Sequence, residues 1–267
     1  MFSLLNKAVQ WNLIPYNPAA RVDAPKVEKK PKTIYNVEQI SDFLQILETQ
    51  PVDKKLMVMF ALSCGMRREE IFGLQWKHIN MKERTINIEQ ACVYTKKTGV
   101  IIKSTKNHSS NRLITYPPFI DTLIKQHKAK QSAKRLKLND KWEGLEKITN
   151  NSTAKSSWDI SNDFVFTQWN GKITFPSSFG SWLRKLVIKN GLPPISPHIF
   201  RHIAATLLIT AGTDIRTVSG KLGHAQTSTT MNIYSHLLKK AEAQTADTMN
   251  TFLEKTTENT KQKKQAI

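Results

Sequence analysis

Cysteine is nearly missing from this chain, which has two, Cys64 and Cys92, in 267 residues. Two thiols give neither a disulfide framework nor a zinc-ligand set, so a cross-linked secreted scaffold is excluded and a reducing, cytoplasmic location is expected. Long apolar runs are missing too. The longest, Leu56 to Leu62, falls far short of the roughly 20 residues a spanning helix needs. The amino terminus lacks a basic segment followed by an apolar stretch, so neither a signal peptide nor a membrane partner is expected. Acidic residues are scarce beside basic ones: 21 Asp and Glu against 40 Lys and Arg leave a formal charge of +19. Such a field attracts polyanions and speeds their encounter, which points to nucleic acid. The hydrophobic content of 39% is enough to bury a core and excludes disorder throughout.

Punctuation along the chain divides it. Leu5, Val9 and Leu13 stand at helical spacing before Pro15 and Pro18, so Phe2 to Ile14 reads as a helix. Pro25, Pro31 and a run of lysines favour an extended linker over residues 21–32. The main domain is expected over 33–240, opened by a helix with Asn36 and Gln39 as its capping pair and Ile40, Phe43, Leu44 and Leu47 as its apolar stripe. Leu56 to Leu62 reads as a buried helix broken at Gly65, and Arg68 to Trp76 as the next, with Arg67 at the joint. Thr85–Ile88, Ala91–Tyr94, Val100–Ile102 and Arg112–Thr115 are short β-rich pieces that predict one small antiparallel sheet. Helical spacing resumes at Ile120, and Asn139 to Asn162 reads as a long loop. Phe179, Trp182, Leu183 and Leu186 mark another helix, followed by helices over Pro197–Ala211, Asp214–Leu222 and Thr227–Leu238. Residues 241–267 are a polar segment and basic tail.

Three fragments carry chemistry. In Pro197-His198-Ile199-Phe200-Arg201-His202 the two histidines have zinc-ligand spacing, but Ile199 stands where a metalloprotease needs glutamate. His198 and Arg201 are instead three residues apart on one helix face, an arrangement that suits a phosphate or, blandly, a cap and a surface cation. Leu222-Gly223-His224 precedes Tyr234 by ten residues, and a lone tyrosine on a short helix is usually half-buried core. Cys64-Gly65-Met66-Arg67-Arg68-Glu69-Glu70 completes the set.

Together these fragments resemble the catalytic domain of the tyrosine recombinases, the phage integrase kind. The family's first catalytic arginine, in a Thr-Gly-Leu-Arg-like motif with Glu three residues on, is matched by Arg67 and Glu70, with Cys64 in place of Thr. Its His-x-x-Arg pair falls on His198 and Arg201, with His202 where histidine often follows, its Leu-Gly-His motif on His224, and its nucleophile on Tyr234. Its hairpin lysine falls in Ser104–Arg112, on Lys106, with Lys103 as a rival register. Glu70 is expected to be a structural partner of a nearby arginine.

The resemblance implies an α+β fold, mostly helical with a three-stranded antiparallel sheet, in which residues 1–20 look like the last helix of a core-binding domain. It implies a site-specific recombinase or integrase acting on double-stranded DNA, for integration or excision of a phage or mobile element. The implied partners are DNA, further copies of the chain in a tetrameric synapse, and accessory DNA-bending proteins or an excision factor. The chemistry suits the residues. A phosphodiester under attack gathers charge that guanidinium forks can hold, and a phenol of pKa about 10 needs a proton acceptor, for which His198 is the candidate. Lys106 would protonate the departing 5′ hydroxyl. A 3′-phosphotyrosyl link conserves the bond energy, so no ATP, metal or other cofactor is expected. Three rivals stand beside this reading. Ala204 to Leu222 also fits a helix-turn-helix regulator without catalysis, a chain without the upstream domains could be an inactive remnant, and a type IB topoisomerase shares the chemistry.

Overall fold

The computed structural model describes residues 2–22, 35–95, 97–104, 111–143, 163–224, 226–228, 230–231 and 234. The chain divides into two compact units, Met1–Thr33 and Ile34–Ile267. In the first, helix α1 (Phe2–Gln10) ends earlier than its apolar spacing predicts, at a turn where Asn12 takes a positive φ of 55°. A 3-10 turn, Pro18–Arg21, follows, and Asn17 ties the two together through Asn6.

The second unit opens with α2 (Val37–Glu48), where Asn36 and Gln39 form the expected reciprocal cap and Phe43 and Leu47 turn inward. Helix α3 (Val52–Ser63) is buried over most of its circumference, because apolar residues fill Leu56 to Ala61. It stops at Gly65, whose φ of +63° is a left-handed conformation that a side chain resists. The turn sends the chain into α4 (Arg68–Gly73), shorter than predicted because Trp76–His78 form a separate 3-10 turn.

The β region differs from expectation in one respect. The three-stranded antiparallel sheet is present, with the order β1 (Ile79–Asn80), β2 (Thr85–Ile88), β5 (Arg112–Thr115). The two middle pieces, β3 (Gln90–Thr95) and β4 (Gly99–Ser104), form a hairpin of their own. A strand as short as β1 carries no alternation to read, and separation of the hairpin follows from its packing on α4.

Helices α5 (Ile120–Leu138), α6 (Pro176–Lys189), α7 (Pro197–Thr210) and α8 (Ile215–Leu222) complete the described fold. The main core joins α2, α3, α4, the sheet and α6, with Phe43 against Phe200 and Phe72 against both Phe166 and Phe179. A smaller apolar cluster of Ala205, Ile209, Val218, Leu222 and Tyr234 lies between α7 and α8. No helix among the described residues is long and apolar enough to cross a membrane.

Candidate active site

The site forms where α4, β5, α7 and α8 meet. Arg67 caps α4, and Glu70, three residues on, binds it twice: the Arg67 backbone N–H donates to Oε2 and Nη1 to Oε1, both at 2.8 Å. The remaining Arg67 contact crosses the chain, with Nη2 donating to the carbonyl of Gly223 at 3.0 Å. Arg201, on α7 and only 2% exposed, donates through Nη1 to the carbonyl of Gly65 at 2.6 Å and through Nη2 to that of Leu222. The two arginines the sequence singled out therefore end on adjacent carbonyls, those of residues 223 and 222. Burial pulls Arg201 down to about 9, helped by the positive charges of Arg67 and Arg112 and opposed by Glu70, which leaves it protonated at neutral pH.

His224 follows directly on that turn, its Nδ1 at 2.7 Å from Thr230 Oγ1. Burial, then the charges of Arg201 and Arg67, hold its imidazole at about 4, so it is neutral near pH 7. Tyr234 is 2% exposed and sits in the smaller apolar cluster. Its hydroxyl lies 2.7 Å from Nδ1 of His202. Burial pushes the phenol up to about 12, against the pull of Arg201, so it stays protonated across the ordinary pH range.

In the structure the phenol meets a different histidine from the one expected to take its proton. His198 was its candidate acceptor, but His198 is exposed and lines an open cleft of ≈ 300 Å³ with Arg68, Glu69, Ser196 and Pro197. The imidazole in contact with Tyr234 is one helical turn further on: His202 lies on the same face of α7 as His198 but is buried, whereas His198, in the first turn of the helix, is exposed. The two rings still touch edge to face, with centroids 4.7 Å apart. Lys106 lies outside the described residues, as do 144–162 and 235–267. Lys103 is described, exposed on β4 opposite Ala91.

One participant escaped the sequence. Arg112, the first residue of β5, grips Glu70 with both terminal nitrogens, at 3.0 Å and 2.8 Å, and donates through Nε to the carbonyl of Lys221 at 2.8 Å. Burial raises the Glu70 carboxyl, but bonding and charge from Arg112 and then Arg67 outweigh it and hold the group at about 2. Glu70 is thus the structural partner expected, though of two arginines. Both cysteines are buried, and burial pushes each thiol up to about 12, so neither is a nucleophile near neutrality. Among the described residues, no group of three or more His, Cys, Asp or Glu could hold a metal ion.

A mostly helical domain with two arginines and a histidine at one helix end, and a tyrosine in the apolar cluster beside it, has the arrangement expected of a tyrosine recombinase catalytic domain. The model of the phage integrase family matches residues 34–241, and the chain belongs to that family. It is 24% identical to a XerC-like tyrosine recombinase of Caldanaerobacter subterraneus, over 93% of this chain and 63% of the relative. It is likewise 24% identical to the ICEBs1 integrase of Bacillus subtilis, over 94% of this chain and 63% of that protein. The chain thus spans 63% of the length of each of these curated relatives. Among solved structures it resembles the Tn1549 transposon integrase in complex with a circular intermediate DNA, with a TM-score of 0.68, 21% identity, and coverage of 86% of this chain and 71% of that one. The XerA recombinase gives a TM-score of 0.58 at 18% identity, over 81% of this chain and 66% of that one. Family membership leaves the regulator reading unfavoured, although α7 and α8 do make two helices joined at Gly212.

Proposed function

We propose that this chain is a site-specific DNA recombinase that cuts and rejoins duplex DNA through a 3′-phosphotyrosyl link at Tyr234, in the integration or excision of a mobile element or phage. The observation that carries this is the arrival of Arg67 and Arg201 on adjacent carbonyls beside His224, with Tyr234 bonded to the helix that bears Arg201. A scissile phosphate entering there would exchange carbonyl oxygens for its own non-bridging oxygens. Two guanidinium forks would then hold the negative charge that grows on the non-bridging oxygens as the phenol attacks phosphorus. His224, neutral with Nδ1 engaged by Thr230, has its other ring nitrogen left to donate to the same oxygens.

In the proposed step the Tyr234 oxygen bonds to phosphorus, the bond to the 5′ oxygen breaks, and the phenolic proton passes to an imidazole. His202 is placed to take it, with His198 against its ring as the rival. Lys106, or Lys103 in the other register, would give the 5′ oxygen its proton. Because one phosphodiester replaces another, a 5′ hydroxyl on a second strand reverses the step without ATP, and no metal is needed for either direction. Duplex DNA is the substrate, recognised first by charge, and further copies of this chain in a tetrameric synapse, with DNA-bending or excision factors, are the proposed partners. Residues 1–20 are read as the last helix of a core-binding domain, 21–32 as its linker, 33–240 as the catalytic domain, and 241–267 as a C-terminal segment and basic tail.

The test is to incubate the protein, with EDTA and without nucleotide, with nicked duplex carrying the element's junction sequence. A denaturation-resistant adduct is expected, and Tyr234→Phe should abolish it while binding persists. An adduct that survives Tyr234→Phe would overturn the assignment.

A further inference from the structure

We infer that Arg112 is a positioning residue of the site: it holds the end of α8 against Glu70, so that the two phosphate-binding arginines arrive at one place. This rests on the reading of the cluster as a phosphate site. Three consecutive carbonyls at the end of α8 are each taken by a different arginine: Lys221 by Arg112, Leu222 by Arg201, and Gly223 by Arg67. The two carbonyls before them are satisfied locally, Ser219 by the N–H of His224 at 3.1 Å and Gly220 by that of Gly223 at 2.9 Å. A helix end leaves its final carbonyls without intrahelical partners and carries partial negative charge, so cations belong there. Here the cations come from three different elements, and the helix end serves as their common stop.

The three arginines do not stand equally. The Arg67 side chain is 33% exposed, whereas that of Arg112 is 7% exposed and grips a Glu70 that is 2% exposed. Arg112 is fixed from behind by its pairing with Ile88 across β2 and β5. The left-handed turn at Gly223 lies directly on its guanidinium, since a Cβ there would come within 2.8 Å of Nη1. Arg112 therefore touches Glu70, which aligns Arg67, and the turn that carries His224. Lysine could not replace it, because one ammonium cannot meet both carboxylate oxygens and the Lys221 carbonyl in a single plane.

Arg112→Lys keeps the charge beside Glu70 and loses the fork. Two readouts decide the matter: hydrogen exchange at the Gly223 and His224 amides, and the rate of adduct formation from a preformed complex with nicked duplex, with the dissociation constant measured separately. Exchange at those two amides should speed up tenfold or more while α3 amides keep their protection. Adduct formation should slow tenfold or more with affinity changed less than about threefold. Unchanged protection, or adduct formation at the wild-type rate, would refute the role. A wild-type protein that forms no adduct would instead count against the recombinase reading, and the exchange result would still decide this one. Should the lysine variant not fold, pairing Arg112→Gln with Glu70→Gln removes both buried charges and allows the same exchange measurement, with the same expected loss at Gly223 and His224.

Discussion

Glu70 shows how far a buried residue can bias a site without entering its chemistry. Its carboxyl lies at about 2 where the ordinary value is 4.5. The folded form therefore holds fewer protons than the unfolded one between those limits, so the stabilisation is complete above pH 4.5 and is lost as the pH falls toward 2. The gap is worth on the order of 3 kcal/mol, in the range measured for breaking a buried ion pair. Urea midpoints taken from about pH 6 down to about pH 2.5 should fall steeply in the wild type. Glu70→Gln should flatten that slope and lower stability near neutrality, since it leaves Arg112 buried without its carboxylate; an unchanged slope would assign the acid transition to other groups. The histidines offer a second test. A proton acceptor in the transition state contributes about a hundredfold or more, so His202→Ala should slow adduct formation by that much and His198→Ala by less. The opposite order would mean that the phenol leaves His202 for His198 once DNA is bound.

On the scale of elements, the turn between α8 and His224 is the most constrained part of the site. Gly223 has a φ of +63° and sits against Arg112. Gly223→Ala should lower stability by about 1–2 kcal/mol from backbone strain alone, more if Arg112 has to move, and thermal unfolding would show it. A melting temperature equal to that of the wild type would mean the turn relaxes freely. What could be foreseen here was local. The cap of α2, the stop at Gly65 and the Asp214 cap of α8 each depend on residues three or four apart, and sequence displays them directly. Arg67, Arg201, His224 and Tyr234 were recognisable only because a family resemblance supplied their order. In the sequence Arg112 only ends a loosely patterned stretch, because its partners lie 42 and 109 residues away and no periodicity connects them. The contact of Tyr234 with His202, not His198, has a similar origin: spacing places both on α7, and only packing decides which meets the phenol.

On the scale of the whole molecule, the formal charge of +19 reaches beyond the pocket. Inside the cluster the Glu70 carboxylate offsets one of the three arginine charges, so the pocket keeps a local excess of positive charge for a phosphate. On the proposed reading the rest of the charge, the proton-donating lysine apart, would serve to gather DNA. Binding that neutralises phosphates releases condensed counterions, with a slope of about −0.9 per phosphate in log affinity against log salt. Contact with about six phosphates would therefore lower affinity about a thousandfold between roughly 50 and 200 mM salt. Tyr234→Phe removes one buried hydroxyl and no charge, so its slope should match that of the wild type while its adduct vanishes. Arg67→Ala removes a charge proposed to meet a phosphate and should make the slope shallower by about one phosphate. Titration of labelled duplex at four or five salt concentrations measures all three proteins together. A slope near zero in the wild type would mean that the excess of lysine and arginine does not face DNA, and a shared slope for Arg67→Ala and wild type would place Arg67 off the phosphate.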